Sequence, residues 1–74
     1  MGAGINTPDN RGATPVYLTA QEGHIEDIRT LREMGADVNT PNKGGVTPVY
    51  VAAQQGHSEA IRTLHELGAD INTP

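Results

Sequence analysis

Apolar and polar residues alternate along this chain in blocks with helical spacing. After Thr14-Pro15 come Val16, Tyr17, Leu18 and Ala20, then Gly23. Threonine can accept a backbone N–H as an N-cap. Proline suits the first helical position, where its missing N–H costs nothing. Glycine supplies the left-handed geometry that favours a helix end. The pattern predicts a first helix of about two turns. Ile25, Ile28, Leu31 and Met34 then follow at intervals of three, with Glu26 and Asp27 in the opening turn and Gly35 at the close. Acidic side chains suit the positive end of a helix dipole, so a second helix is predicted, with that stripe buried. The same scheme recurs as Thr47-Pro48, Val49 to Ala53, Gly56, then Ile61, Leu64, Leu67 and Gly68. Between the helix pairs, residues 37–45 are dominated by Pro, Asn and Gly, which predicts a turn with no strand of any length.

The recurrence has a period of 33 residues: residues 9–41 laid over 42–74 agree at 21 of 33 positions, and residues 1–8 match 34–41 at six of eight. The chain divides into the tail of one repeat (1–8), repeat one (9–41) and repeat two (42–74). A fixed period of this length predicts a stacked array in which each unit covers its neighbour's apolar face.

The motifs Gly12-Ala13-Thr14-Pro15-Val16-Tyr17, Ala20, Gly23-His24, Leu31 and Gly35-Ala36-Asp37-Val38-Asn39, with their partners 33 residues on, resemble the ankyrin repeat. Period, motif order and glycine placement agree twice. The resemblance implies an all-α helix-turn-helix solenoid, with antiparallel helices and β-hairpin-type connecting turns projecting from it. It also implies a non-catalytic role in protein–protein recognition, through the hairpin tips and the first helices. Three departures stand out. The family's Thr-Pro-Leu-His reads Thr-Pro-Val-Tyr, so any hydrogen-bonding duty of that His passes to Tyr17 and Tyr50 or is lost. A Leu-Leu pair becomes Leu31-Arg32 and Leu64-His65. A family apolar position holds Asp27 and Ala60. Less buried aliphatic area, at about 25 cal/mol per Å², predicts a lean core.

Composition sharpens this picture. Apolar residues make up 35% of the chain, and Phe, Trp and Cys are absent. A chain this short is marginal without disulfides or metals. The net charge is −4, with five Lys and Arg residues spread singly, so there is no basic patch to neutralise phosphates and nucleic acid is not an expected partner. No apolar run approaches the roughly 20 residues of a membrane span, and no membrane partner is expected. Met1-Gly2-Ala3 copies Met34-Gly35-Ala36 and does not open a signal peptide. A cytoplasmic location is thus favoured over a secreted one.

The candidate chemistry is sparse. His24 and His57 occupy equivalent positions in units separated by a helix-packing distance of roughly 8–10 Å, too far to share a zinc ion without further ligands. They are expected to open the second helices and bond neighbouring backbone, with His65 on an outer face. Ser58 adjoins His57 in sequence, but adjacent helical residues point apart. Gly44-Gly45 lacks the context of a phosphate loop. No catalysis, metal or cofactor is expected. Asn39 and Asn72 resemble the family position modified by a 2-oxoglutarate-dependent asparaginyl hydroxylase; a plain turn-stabilising role for the side chain is the simpler expectation.

Positions that differ between copies mark the expected binding surface: Asp9, Asn10, Arg11 and Ala13 opposite Asn42, Lys43, Gly44 and Val46 at the hairpin tips, and Glu22 opposite Gln55, with Gln21 and Gln54 beside them. Two repeats offer less than the ~800 Å² per partner of a standard interface. A protein-binding module, either a fragment of a longer array or a binder itself, therefore competes with a minimal or engineered scaffold that has no dedicated partner. Such a scaffold would be a homo-oligomer formed through its uncapped ends.

Overall fold

The computed structural model describes residues 4–71 and contains four helices: α1 (Pro15–Glu22), α2 (Ile25–Glu33), α3 (Pro48–Gln54) and α4 (Ser58–Glu66). Each α1/α2 or α3/α4 pair is one repeat. α1 packs on α3 and α2 on α4, so the repeats stack in register. No strand occurs among the described residues. Each long turn is closed by two backbone bonds: Asp9 N–H to Ala13 O and Gly12 N–H to Asp9 O, both 2.9 Å, in the first, and Asn42 N–H to Val46 O at 2.9 Å and Gly45 N–H to Asn42 O at 3.0 Å in the second.

The helix boundaries follow the local chemistry. Thr14 and Thr47 are buried N-caps whose hydroxyls accept from Tyr17 N–H and Tyr50 N–H at 3.2 Å. At the far end of α2, the N–H of Ala36 reaches back to Leu31 O at 2.9 Å. This needs Gly35 at φ +97°, and the geometry is that of a Schellman close.

The core lies between the repeats, and it divides equivalent residues into two sets. Ala20 and Ile28 of repeat one are wholly buried, whereas their counterparts Ala53 and Ile61 are exposed and half-buried; Val16 and its counterpart Val49 are both buried, at 0% and 8% exposure. Ala52, Ala60 and Leu64 of repeat two are wholly buried, whereas Thr19 and Leu31 are half-buried and Asp27 is exposed. The first set faces forward along the stack and the second backward. Repeat one is thus covered in front, repeat two behind. The expected α2 stripe is corrected at its end: Met34 is 54% exposed, whereas its counterpart Leu67, in the repeat that packs back onto repeat one, is half-buried against the core. The position where the family is apolar carries its replacement on the uncovered side, as Asp27, and the small Ala60 on the covered side.

Candidate functional site

The tips of the two long turns are each built by one side chain. The Oδ1 of Asp9 accepts from the N–H groups of Arg11 and Ala13, both at 2.9 Å. The Oδ1 of Asn42 accepts from Gly44 at 2.8 Å and Val46 at 3.0 Å. This leaves the Nδ2 of Asn42 free to donate to the Tyr17 hydroxyl at 3.1 Å. Tyr17 of repeat one is thus bonded to an asparagine of repeat two across the repeat boundary. Tyr50, its counterpart, is 44% exposed.

The Asp9 carboxylate is held below its ordinary pKa, first by the Ala13 N–H and then by that of Arg11, with the Arg11 and Lys43 charges adding to the effect. A group whose folded pKa is depressed contributes stability above its unfolded pKa and loses it as pH falls through the folded value. Carbon-detected titration should find Asp9 ionising below the ordinary carboxylate range. Asp9→Asn should keep the turn, as Asn42 does, and remove that part of the acid sensitivity. A normal or raised pKa would contradict this account of the tip.

The two tips are tied to each other, and the end of α1 is tied to the start of α4. Lys43 N–H donates to Arg11 O at 3.0 Å. The Nε2 of His57 lies 3.1 Å from Gln21 O. A carbonyl only accepts, so Nε2 carries the hydrogen. His57 thus bonds backbone, as its place in the sequence suggests, while the Nδ1 of His24 lies 3.6 Å from the Asp27 carboxylate. His65 is exposed. Asn39 also spans the repeats: its Oδ1 accepts from Asp70 N–H at 2.8 Å, repeating the 2.9 Å bond from Asp37 N–H to Asn6 Oδ1. Asn72 lies outside the described residues. An exposed Arg29–Glu66 pair at 3.1 Å joins α2 to α4, and such a pair contributes at most ~1 kcal/mol.

Around these ties lie the residues expected to contact a partner. Arg11, Ala13, Tyr17, Leu18, Gln21 and Asn42 line a small depression where the tips meet α1. Asn10, Arg11, Glu22, Lys43, Gly44, Gln54 and Gln55 are exposed, and Gln21 and Val46 half-buried. Ala13 departs from expectation. It is 4% exposed and belongs to the core, because Asp9 draws its N–H inward. Sequence comparison of the two copies missed Tyr17 and Leu18, which share the depression. Tyr17 was hidden by being identical in both repeats. Among the described residues no cluster of three or more His, Cys, Asp or Glu could hold a metal ion. No helix among them is long and apolar enough to cross a membrane.

Helix pairs in register, capped by Thr-Pro and joined by projecting turns, define a class of protein built to present a surface. The chain belongs to the ankyrin-repeat family: ankyrin repeats (3 copies) match residues 1–74. No curated protein matches it. Members of this family are generally protein–protein interaction modules and are typically non-enzymatic scaffolds.

Proposed function

We propose that the chain is a non-catalytic recognition module that grips a protein partner with its hairpin tips and the exposed side of its first helices. The observation that carries this is a division of labour. Asn42, Tyr17 and Asp9 hold the tips rigid through bonded side chains. Gln21, Lys43 and Gln54 stand beside them, with side chains engaged in no hydrogen bond or ion pair among the described residues. A rigid frame carrying uncommitted polar groups loses little entropy on binding. Replacing Gln21, Lys43 and Gln54 together by Ala should shift stability by no more than about 0.5 kcal/mol per site. The same variant should weaken a protein binder selected against the folded chain by tenfold or more. Unchanged affinity, or loss of the fold, would refute the assignment.

A second reading is favoured by the forward face of repeat two. Val49, Ala53, Ile61 and Ile71 line an open groove there, and the equivalent residues Val16, Ala20, Ile28 and Val38 are buried by repeat two. On this reading a second copy stacks head to tail and reuses the contact already made inside the chain, a heterologous contact that need not close. Asn39 is also retained as a hydroxylation position; its exposed side chain leaves room for an added oxygen on its β-carbon while Oδ1 stays bonded.

A further inference from the structure

We propose that the depression between the tips and α1 receives an acidic side chain of the protein partner, an Asp or Glu with an apolar residue beside it. This names the partner's chemistry and rests on the recognition reading above.

Charge is spread unevenly over the repeats. The two tips, residues 9–13 and 42–46, hold Arg11 and Lys43 against the one carboxylate of Asp9, a balance of +1 in a chain whose total is −4. Of the other eight Asp and Glu residues only Glu22 lies on a first helix; seven lie on the second helices and the turns that follow them. An anionic partner is therefore drawn to the tips and turned away from the second helices. At physiological salt, charges more than about 8 Å away are largely screened, so the tip cations outweigh the distant carboxylates.

The tip cations are also open to a ligand. Arg29 is paired with Glu66, and the Nε of Arg32 donates to Leu67 O at 3.4 Å. Lys43, in contrast, is exposed and its side chain has no hydrogen bond or ion pair among the described residues. The Arg11 side chain approaches only Asp9, at 3.9 Å, and is 84% exposed. That distance is beyond hydrogen-bond reach, so its guanidinium fork keeps its donors for a carboxylate. The bond from Lys43 N–H to Arg11 O sets the two residues side by side, and both charges act on the same Asp9 carboxylate.

The walls of the depression add donors and an apolar contact. The Tyr17 hydroxyl accepts from Asn42 Nδ2, and its own hydrogen goes to no acceptor among the described residues. The Gln21 amide lines the same depression, and Leu18, 37% exposed, is its apolar side. A guanidinium, a phenol and an amide around one spot suit a carboxylate, which only accepts. The volume, about 70 Å³, admits the end of a side chain and falls far short of the ~300–1,000 Å³ of a small-molecule site.

The probe is a set of peptides selected from a random phage-displayed library against the full chain, with affinities then measured by calorimetry. The enriched peptides should carry Asp or Glu next to an apolar residue, and changing that acid to its amide should weaken binding about tenfold or more. Arg11→Gln/Lys43→Gln should weaken it about as much. Arg32→Gln/Arg62→Gln alters the net charge equally, away from the depression, and should leave affinity unchanged. Acidic peptides that bind both double variants alike would overturn the proposal, and so would a selection with no enrichment. Peptides without an acid that perturb the amides of residues 10–21 and 43–55 would overturn it and leave the recognition surface intact. Peptides that perturb α2 and α4 instead would overturn both. Should circular dichroism show Arg11→Gln/Lys43→Gln unfolded, Lys43→Gln alone takes its place, and unchanged affinity for the acidic peptides overturns the proposal.

Discussion

Ile28→Ala should unfold the isolated chain at room temperature, and so should Leu64→Ala, while the same change at their repeat partners Ile61 and Leu31 should not. Ile28 and Leu64 are the two largest wholly buried side chains, each at 0% exposure. Ile61 and Leu31 are half-buried on the outer faces of the stack. Truncating a buried Ile or Leu costs about 2–5 kcal/mol, the upper part arising where the cavity cannot collapse. A chain of this length at the lean end of the usual per-residue range has about 4 kcal/mol in total. Little is available to offset the loss, since the core otherwise consists mainly of Ala and Val. Each pair keeps residue type and helix position fixed and changes only whether a neighbouring repeat lies over the side chain. Far-ultraviolet circular dichroism at 25 °C, with and without chelator, gives the readout: helix lost for Ile28→Ala and Leu64→Ala, retained for Ile61→Ala and Leu31→Ala, and insensitive to chelator throughout. Equal effects within a pair would mean that the stacking is wrong.

The second large effect concerns glycine. Gly12 and Gly45 occupy equivalent turns with φ +84° and +82°, so an alanine at either incurs left-handed strain of about 1–2 kcal/mol. Only Gly12 is closely approached. A Cβ there would lie 2.6 Å from the backbone nitrogen of Lys43, the group that donates to Arg11 O. Backbone cannot swing aside as a side-chain end can, so Gly12→Ala should cost a further 1–3 kcal/mol of overpacking. Gly23 and Gly56 form a second pair, with φ +73° and +75°. A Cβ on Gly23 would lie 2.8 Å from the Nδ1 of His57, whereas one on Gly56 meets nothing within 4 Å. Gly12→Ala and Gly23→Ala should therefore lower the denaturation midpoint well beyond Gly45→Ala and Gly56→Ala. His57→Ala should recover part of the Gly23→Ala loss but none of that from Gly12→Ala. Matching midpoints within each pair would show that the conformation of the glycine, and not contact between repeats, sets the cost.

These pairs also show what the sequence could reveal. Thr-Pro starts, Gly stops and a 33-residue period are local signals, and the four helices fall where those signals put them. Burial was legible only as far as periodicity reaches. Met34 has the spacing of a core residue but lies on the uncovered side, and Asp27 and Ala60 differ in burial because one faces outward and the other faces repeat one. Identity between repeats cannot distinguish a covered face from an uncovered one, because the difference belongs to the neighbour and not to the residue. The bonds that join the repeats were hidden for a related reason. Asn42 to Tyr17, His57 to Gln21 and Asn39 to Asp70 connect residues 25 to 36 positions apart, and no local pattern announces such pairs. At the candidate surface, comparing the copies found the variable polar positions and passed over Tyr17, which is identical in both repeats; Ala13 and Tyr17 are both buried and both line the depression.

The central claim is that the hairpin tips and first helices form the recognition surface. It is tested most directly by amide chemical-shift mapping of the labelled chain with a bound protein partner selected against it. The account predicts perturbations gathered on residues 10–21 and 43–55, with α2 and the outer side of α4 silent. Perturbations gathered on α2 and α4, with the tips unmoved, would contradict it.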